Sequence, residues 1–339
     1  MMTMTERVSM NFRWMLCLVA LLPICGTAVA HKGADAVYIN PSAVETVEWL
    51  PAVQADHRIL YGNNSLWYGD LRVPRGKRPR DGWPVVVFVH GGGWSSSWSN
   101  GYSARLVEAI HDLGVATWDL EFRRMGNTGG GWPGTFLDVA LGTDYLRTLA
   151  TRFPLDLNRV VVAGHSSGGH LVAWLAGRHR LPADSPLYRP DALRPAGVLS
   201  LAGIPDLDGA LVQGNRTDVL QLLGVATRAE AMSRYDDASP IETLPHGVPE
   251  IHIVGTRDNP WRIAITRDYV SLAKSMGEQA EIVLLDGANH FDVVDPCGPA
   301  WPPIARAVLS LLGERVHNRD LRIPGSRACP RERYQGSDD

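Results

Sequence analysis

The sequence predicts the α/β class, a mostly parallel central sheet with helices on both faces. Two observations carry the expectation. Val85-Val86-Val87-Phe88-Val89 is a continuous apolar run, as needed by a strand buried on both sides. This run and later strand-like runs alternate with segments of helical apolar spacing, the pattern of parallel strands joined by crossover helices. At 339 residues, 45% hydrophobic and 20% charged, the chain can bury a large core in one α/β domain or two smaller ones. A net charge of -3 gives no footprint for nucleic acid.

Residues 1–30 read as a cleaved signal peptide. Arg7 and Arg13 precede an apolar stretch over residues 14–24, and Ala28-Val29-Ala30 fits a small-residue cleavage site. The stretch is short and broken by Pro23, where a membrane span needs about 20 apolar residues. No stable membrane anchor is therefore expected, an uncleaved anchor being the alternative, and the destination is periplasmic or extracellular. Ile24 before Cys25 is too large for a lipidation site. Cys17 and Cys25 leave with the leader. Cys297 and Cys329 then either pair, tying the C-terminal tail to the loop after His290, or stand as unrelated thiols.

The main domain is expected over residues 31–313. Strands are read at residues 43–50, 57–61, 67–73 and 85–89, and the last runs into His90-Gly91-Gly92-Gly93-Trp94. Helical spacing follows at 102–113, a strand at 115–119, a glycine-rich loop at 129–133 and a helix over 135–151. A strand at 159–163 meets a helix at 169–177, and 197–202 is the next strand. Residues 203–248 hold no clear strand, only helix-like pieces at 207–212 and 218–223, so they form either a small lid or an ordinary crossover. A strand at 250–255, a helix at 262–276, a strand at 281–285 and a helix at 300–312 complete the domain. Residues 314–339, rich in arginine, are a solvated tail.

Gly164-His165-Ser166-Ser167-Gly168 lies between strand and helix and has the form of a nucleophile elbow. A serine hydroxyl is a poor nucleophile and needs a base and a carboxylate that fixes the base. His290 follows the last strand and is the best base. Asp258 follows the penultimate strand and is the first choice for the acid; Asp206 is the rival, and Asp286 and Asp292 are too close in sequence to His290. The glycines after the 85–89 strand let backbone N–H groups approach a developing oxyanion. His90 reads as a brace for that loop, and Trp94, Trp98 and Trp132 as walls of a substrate pocket. No ligand spacing for a metal is present.

With these motifs the chain resembles α/β-hydrolase-fold serine hydrolases of the esterase/lipase branch, over residues 85–312. It is similar to carboxylesterases of the feruloyl and acetyl-xylan esterase type and to kynurenine formamidases. The likeness lies in the His-Gly-Gly-x-Trp loop at residues 90–94 and the Gly-Ala-Asn-His-Phe-Asp ending at 287–292. It departs from lipase-like relatives at Glu121-Phe122-Arg123-Arg124, where they carry an Asp-Tyr-Arg-type segment. The resemblance implies Ser166 as nucleophile, His290 as base and Asp258 as acid, with the amides of Gly91, Gly92 and Ser167 as oxyanion hole. It implies hydrolysis of a small-molecule ester without a cofactor. Amide hydrolysis, by an arylformamidase or a prolyl-oligopeptidase-like peptidase, is the alternative, and a non-catalytic binding protein on the same fold is the reading from another class.

Overall fold

The computed structural model describes residues 53–324, 328 and 329. The leader and cleavage site expected over residues 1–30, the strand expected over 43–50 and the remainder of the tail lie outside the described residues.

The strands are β1 (His57–Leu60), β2 (Tyr68–Arg72), β3 (Trp83–Val89), β4 (Ala116–Leu120), β5 (Leu155–His165), β6 (Gly197–Leu201), β7 (Glu250–Gly255) and β8 (Ala280–Leu285). They form an eight-stranded sheet in the order β1-β2-β4-β3-β5-β6-β7-β8. β2 runs antiparallel to β1 and β4, and every pairing from β4 to β8 is parallel. Adjacent parallel strands need crossovers, which the helices supply.

The apolar run that forms β3 is used on both faces. Val85, Val87 and Val89 enter one core, while Val86 and Phe88 enter the other, because successive strand side chains point to opposite sides. β5 divides in the same way, with Val160 and Val162 in the first core and Val161 and Ala163 in the second. α1 (Ala104–His111) and α9 (Trp301–Leu311) cover the second core. α2 (Gly134–Asp144), the short α3 (Leu146–Leu149) and α4 (Ser167–Gly177) cover the first. The helix expected over 135–151 is thus two helices.

Residues 203–248 join the parallel neighbours β6 and β7. They hold α5 (Leu207–Gln213), α6 (Asp218–Leu223) and α7 (Arg228–Ala238), the last of which the sequence reading missed. Leu207, Val219, Leu222, Leu223, Ala231 and Tyr235 are buried in the first core, so this stretch is packed into the domain. α8 (Pro260–Ser275) lies between β7 and β8. Cys297 and Cys329 are joined in a disulfide with Cα atoms 5.5 Å apart, the paired one of the two readings. Among the described residues no helix is long and apolar enough to cross a membrane.

Candidate active site

Ser166 follows β5 directly and is the residue before α4. Its φ of 54° and ψ of -119° are sparsely populated for a side-chain-bearing residue, and such strain survives only where surroundings impose it. The imposing contacts are close: a Cβ on Gly168 would stand 2.0 Å from the Val89 carbonyl oxygen. Only glycine lets α4 start this near to β3.

His290 lies in the loop after β8. Its Nε2 is 3.0 Å from Ser166 Oγ, and its Nδ1 is 2.7 Å from Asp258 Oδ2. The loop is held by its own side chains, since Asn289 Oδ1 accepts from the Phe291 and Asp292 amides and Asp292 Oδ2 accepts from the Asn289 amide. Asp258 follows β7; its Oδ1 accepts from the Asn259 amide at 2.6 Å and from Arg262 Nε at 3.3 Å. The structure therefore joins Ser166, His290 and Asp258 in one hydrogen-bonded line. Asp206 is elsewhere: its Oδ1 accepts from the Gly209 amide at 2.9 Å and caps α5.

Burial pushes the Asp258 carboxyl up, but the charges of His290 and Arg262 and the bonds it accepts outweigh this and hold it far below the usual range. For His290 burial is the largest influence and lowers its pKa. Asp258 works against that, Arg262 and Arg216 work with it, and the net direction is below 6.5. A base of this kind is neutral, and able to accept a proton, at neutral pH. Arg262 was not singled out from the sequence. It is buried, and its Nη1 donates to the Ala202 carbonyl at 2.8 Å.

The glycine loop needs one correction. The Gly91 amide, expected in the oxyanion hole, donates to Tyr102 Oη at 2.6 Å. It is already spent. At the other end of the loop the Trp94 amide donates to Ser167 Oγ at 3.2 Å. Between them the amides of Gly92 and Gly93 have no hydrogen-bond partner among the described residues, nor has that of Ser167 at the start of α4. Which amides stay open depends on Tyr102 and on the Ser167 hydroxyl, and no motif within the loop reveals either.

Trp94 needs a second correction. It is 1% exposed, with Nε1 donating to His170 Nδ1 at 3.2 Å, so its ring is core and not pocket wall. Trp98 is half-buried. It stacks on Phe291 with centroids 5.8 Å apart, and a Cβ on Gly92 would meet it at 2.3 Å. It therefore borders both the glycine loop and the His290 loop. Trp132 is half-buried against Phe136 and under Arg234, with no ring contact or hydrogen bond to the Ser166 line among the described residues. His90 braces the loop, as its ring nitrogens meet the Gly91 carbonyl at 2.8 Å and Glu121 Oε1 at 3.3 Å. Arg124 closes on the same Glu121 carboxylate, so the Glu121-to-Arg124 departure forms the buried support of the loop. No group of three or more His, Cys, Asp or Glu among the described residues is placed to hold a metal ion.

Comparison with known proteins adds the lineage. The model of the family described as BD-FAE matches residues 70–266. The chain is 28% identical to Esterase LipC of Mycobacterium tuberculosis over 274 residues, covering 77% of this chain and 65% of that one. To the probable carboxylic ester hydrolase LipM of the same organism it is 22% identical over 229 residues, covering 66% and 52%. The chain thus spans between half and two thirds of the length of these relatives. Among solved structures, a truncated form of a carbohydrate esterase from gut microbiota is similar with a TM-score of 0.65 at 18% identity, covering 78% of this chain and 99% of that one. This last likeness concerns the fold, an α/β-hydrolase sheet with its helices.

Proposed function

The chain belongs to the BD-FAE family, and from that premise we propose that it is a serine hydrolase that cleaves carboxylic esters through an acyl-enzyme. The observation that carries the proposal is the line Ser166 Oγ, His290 and Asp258, with bonds of 3.0 and 2.7 Å, at the carboxyl ends of β5, β8 and β7. In the first step Ser166 Oγ attacks the ester carbonyl carbon and His290 Nε2 takes its proton. The carbonyl oxygen becomes an oxyanion, and the amides of Gly92, Gly93 and Ser167 are the donors open to receive it. Collapse of the tetrahedral intermediate expels the alcohol, which leaves with the proton from His290. Water then attacks the acyl-Ser166 carbonyl, giving its proton to His290, and the acid departs as the serine is restored.

Asp258 holds His290 with its proton on Nδ1, so that Nε2 faces Ser166 as the acceptor. Trp98, between the glycine loop and the His290 loop, gives the pocket an aromatic wall suited to apolar or aryl esters. LipC and LipM, named as an esterase and a probable carboxylic ester hydrolase, support the ester reading. The leader over residues 1–30, together with the Cys297–Cys329 disulfide, supports export to an oxidising compartment. An N-terminal sequence of secreted material beginning at His31 is expected. A retained leader on the active protein would remove that part of the reading.

A panel of p-nitrophenyl esters, from acetate to hydroxycinnamate, run beside formyl-amides and aminoacyl amides tests the reaction class. At least one ester should exceed every amide in kcat/KM. Amide turnover above that of all the esters would overturn the assignment.

A further inference from the structure

The elbow residue before the nucleophile, His165, uses both ring nitrogens in a chain that spans the site. Its Nδ1 is 2.9 Å from Tyr102 Oη, and its Nε2 is 2.9 Å from the His290 carbonyl oxygen. Tyr102 Oη is also the acceptor of the Gly91 amide at 2.6 Å. For a neutral His165 ring the partners place the protons. A backbone N–H can only donate, so Tyr102 Oη accepts from Gly91. A carbonyl oxygen can only accept, so His165 Nε2 carries a proton and donates it to His290. The neutral ring then has a bare Nδ1, which accepts the Tyr102 hydroxyl proton. The donors run one way, from the glycine loop through Tyr102 and the elbow to the base loop.

We propose that Tyr102 and His165 are positioning residues that set the glycine loop and the His290 loop in register with Ser166. This rests on the esterase reading of the site. The chain touches no reacting atom; it acts through Gly91, which leads directly into the open Gly92 and Gly93 amides, and through the backbone of His290. The surroundings leave it little freedom. His165 is 1% exposed and its ring centroid lies 4.7 Å from that of His290. Tyr102 is wedged edge-on against Trp98 and Phe291. Burial and the neighbouring His290 keep His165 neutral, which preserves the direction of the chain when His290 takes up the serine proton. Because the chain adjusts where the oxyanion and the base sit, its loss falls on the transition state and leaves ground-state binding in place.

Tyr102→Phe removes the middle of the chain. His165→Gln keeps a donor for the His290 carbonyl but loses the acceptor for Tyr102, and His165→Asn keeps the acceptor but loses the donor. In folded protein each should lower kcat for a p-nitrophenyl ester about tenfold or more, with KM within about twofold. The Tyr102→Phe/His165→Gln double variant should lose no more than about twofold beyond the worse single one. Single variants with kcat within twofold of the parent, or losses that multiply in the double variant, would overturn the proposal. Nitrogen-15 NMR of histidine-labelled parent protein tests it without any variant having to be active. His165 should be the neutral Nε2–H tautomer, and an Nδ1–H tautomer or an imidazolium near neutral pH would contradict the chain. Since the tautomer is read without turnover, failure of this inference is separable from failure of the esterase reading, which would appear as a parent protein inert to every ester.

Discussion

Gly92 has φ at +110°, and a Cβ there would strike Trp98 at 2.3 Å. Gly92→Ala must therefore displace the loop or the ring, and with it an open amide that the proposed mechanism gives to the oxyanion. Losing one such donor costs about 3–4 kcal/mol, so kcat should fall by 10²–10³; a variant within tenfold of the parent would take Gly92 out of the hole. Arg262 acts on the base from the other side. Its charge beside Asp258 and His290 disfavours the imidazolium, and removing it favours the charged form. The parent kcat/KM should fall on acidification with a midpoint below 6.5, since His290 must be neutral to act. In Arg262→Met that midpoint should move to higher pH. A midpoint unmoved or moved downward would contradict the electrostatic role. Neither Arg262 nor Tyr102 was legible in the sequence, because each works through a partner brought near only by the fold. Ser166, His290 and Asp258 were legible, because each follows a strand whose apolar run marks its carboxyl end.

At the level of elements, the strands and most helices could be read from apolar pattern, since β3 and β5 are buried on both faces and α1 and α9 present one apolar side to the second core. α7 was missed because it is mostly polar and contributes only Ala231, Tyr235 and Ala238 to the interior. A signal was present at its start, where Thr227 accepts from the Glu230 amide at 3.3 Å and Glu230 reaches back to the Ala226 amide at 2.8 Å, a close variant of the capping box. Gly91 was misassigned for a different reason, since a glycine triplet shows that backbone can approach a ligand but not which N–H is already taken. The disulfide was one of two readings, and it closes a separation of 32 residues behind the His290 loop. A loop of that size constrains the unfolded chain by about 3–4 kcal/mol. Reductant should lower the unfolding midpoint of native protein, and Cys329→Ser should match the reduced form. An unchanged midpoint on complete reduction would remove the stabilising role.

Six of the eleven histidines, His90, His165, His170, His246, His252 and His290, lie inside the molecule, whereas His57 and His317 are exposed. His90, His165 and His170 are all fully buried, with burial the leading cause that pushes His90 down to about 3, His170 to about 4 and His165 well below its ordinary value. Each is neutral when folded, while the unfolded chain protonates its histidines near pH 6.5. Below that pH the unfolded state binds more protons, so stability falls as pH falls. Three such groups amount to roughly 4 kcal/mol per pH unit at most between about pH 6 and 4, against a total of about 5–15. Denaturant midpoints should hold near neutrality and drop steeply below pH 6. A flat profile from pH 7.5 to 5 would show that these rings can take up protons in place.

The proposed reaction depends on one hydroxyl, that of Ser166 directly after β5. The most direct measurement is covalent titration of folded full-length protein with a serine-reactive p-nitrophenyl phosphonate, followed by peptide mass spectrometry, beside Ser166→Ala. One equivalent of label on Ser166, with matching loss of ester hydrolysis and no label on the variant, is the expected result. Folded protein that stays unlabelled, or takes the label at another residue while hydrolysis continues, would contradict the account.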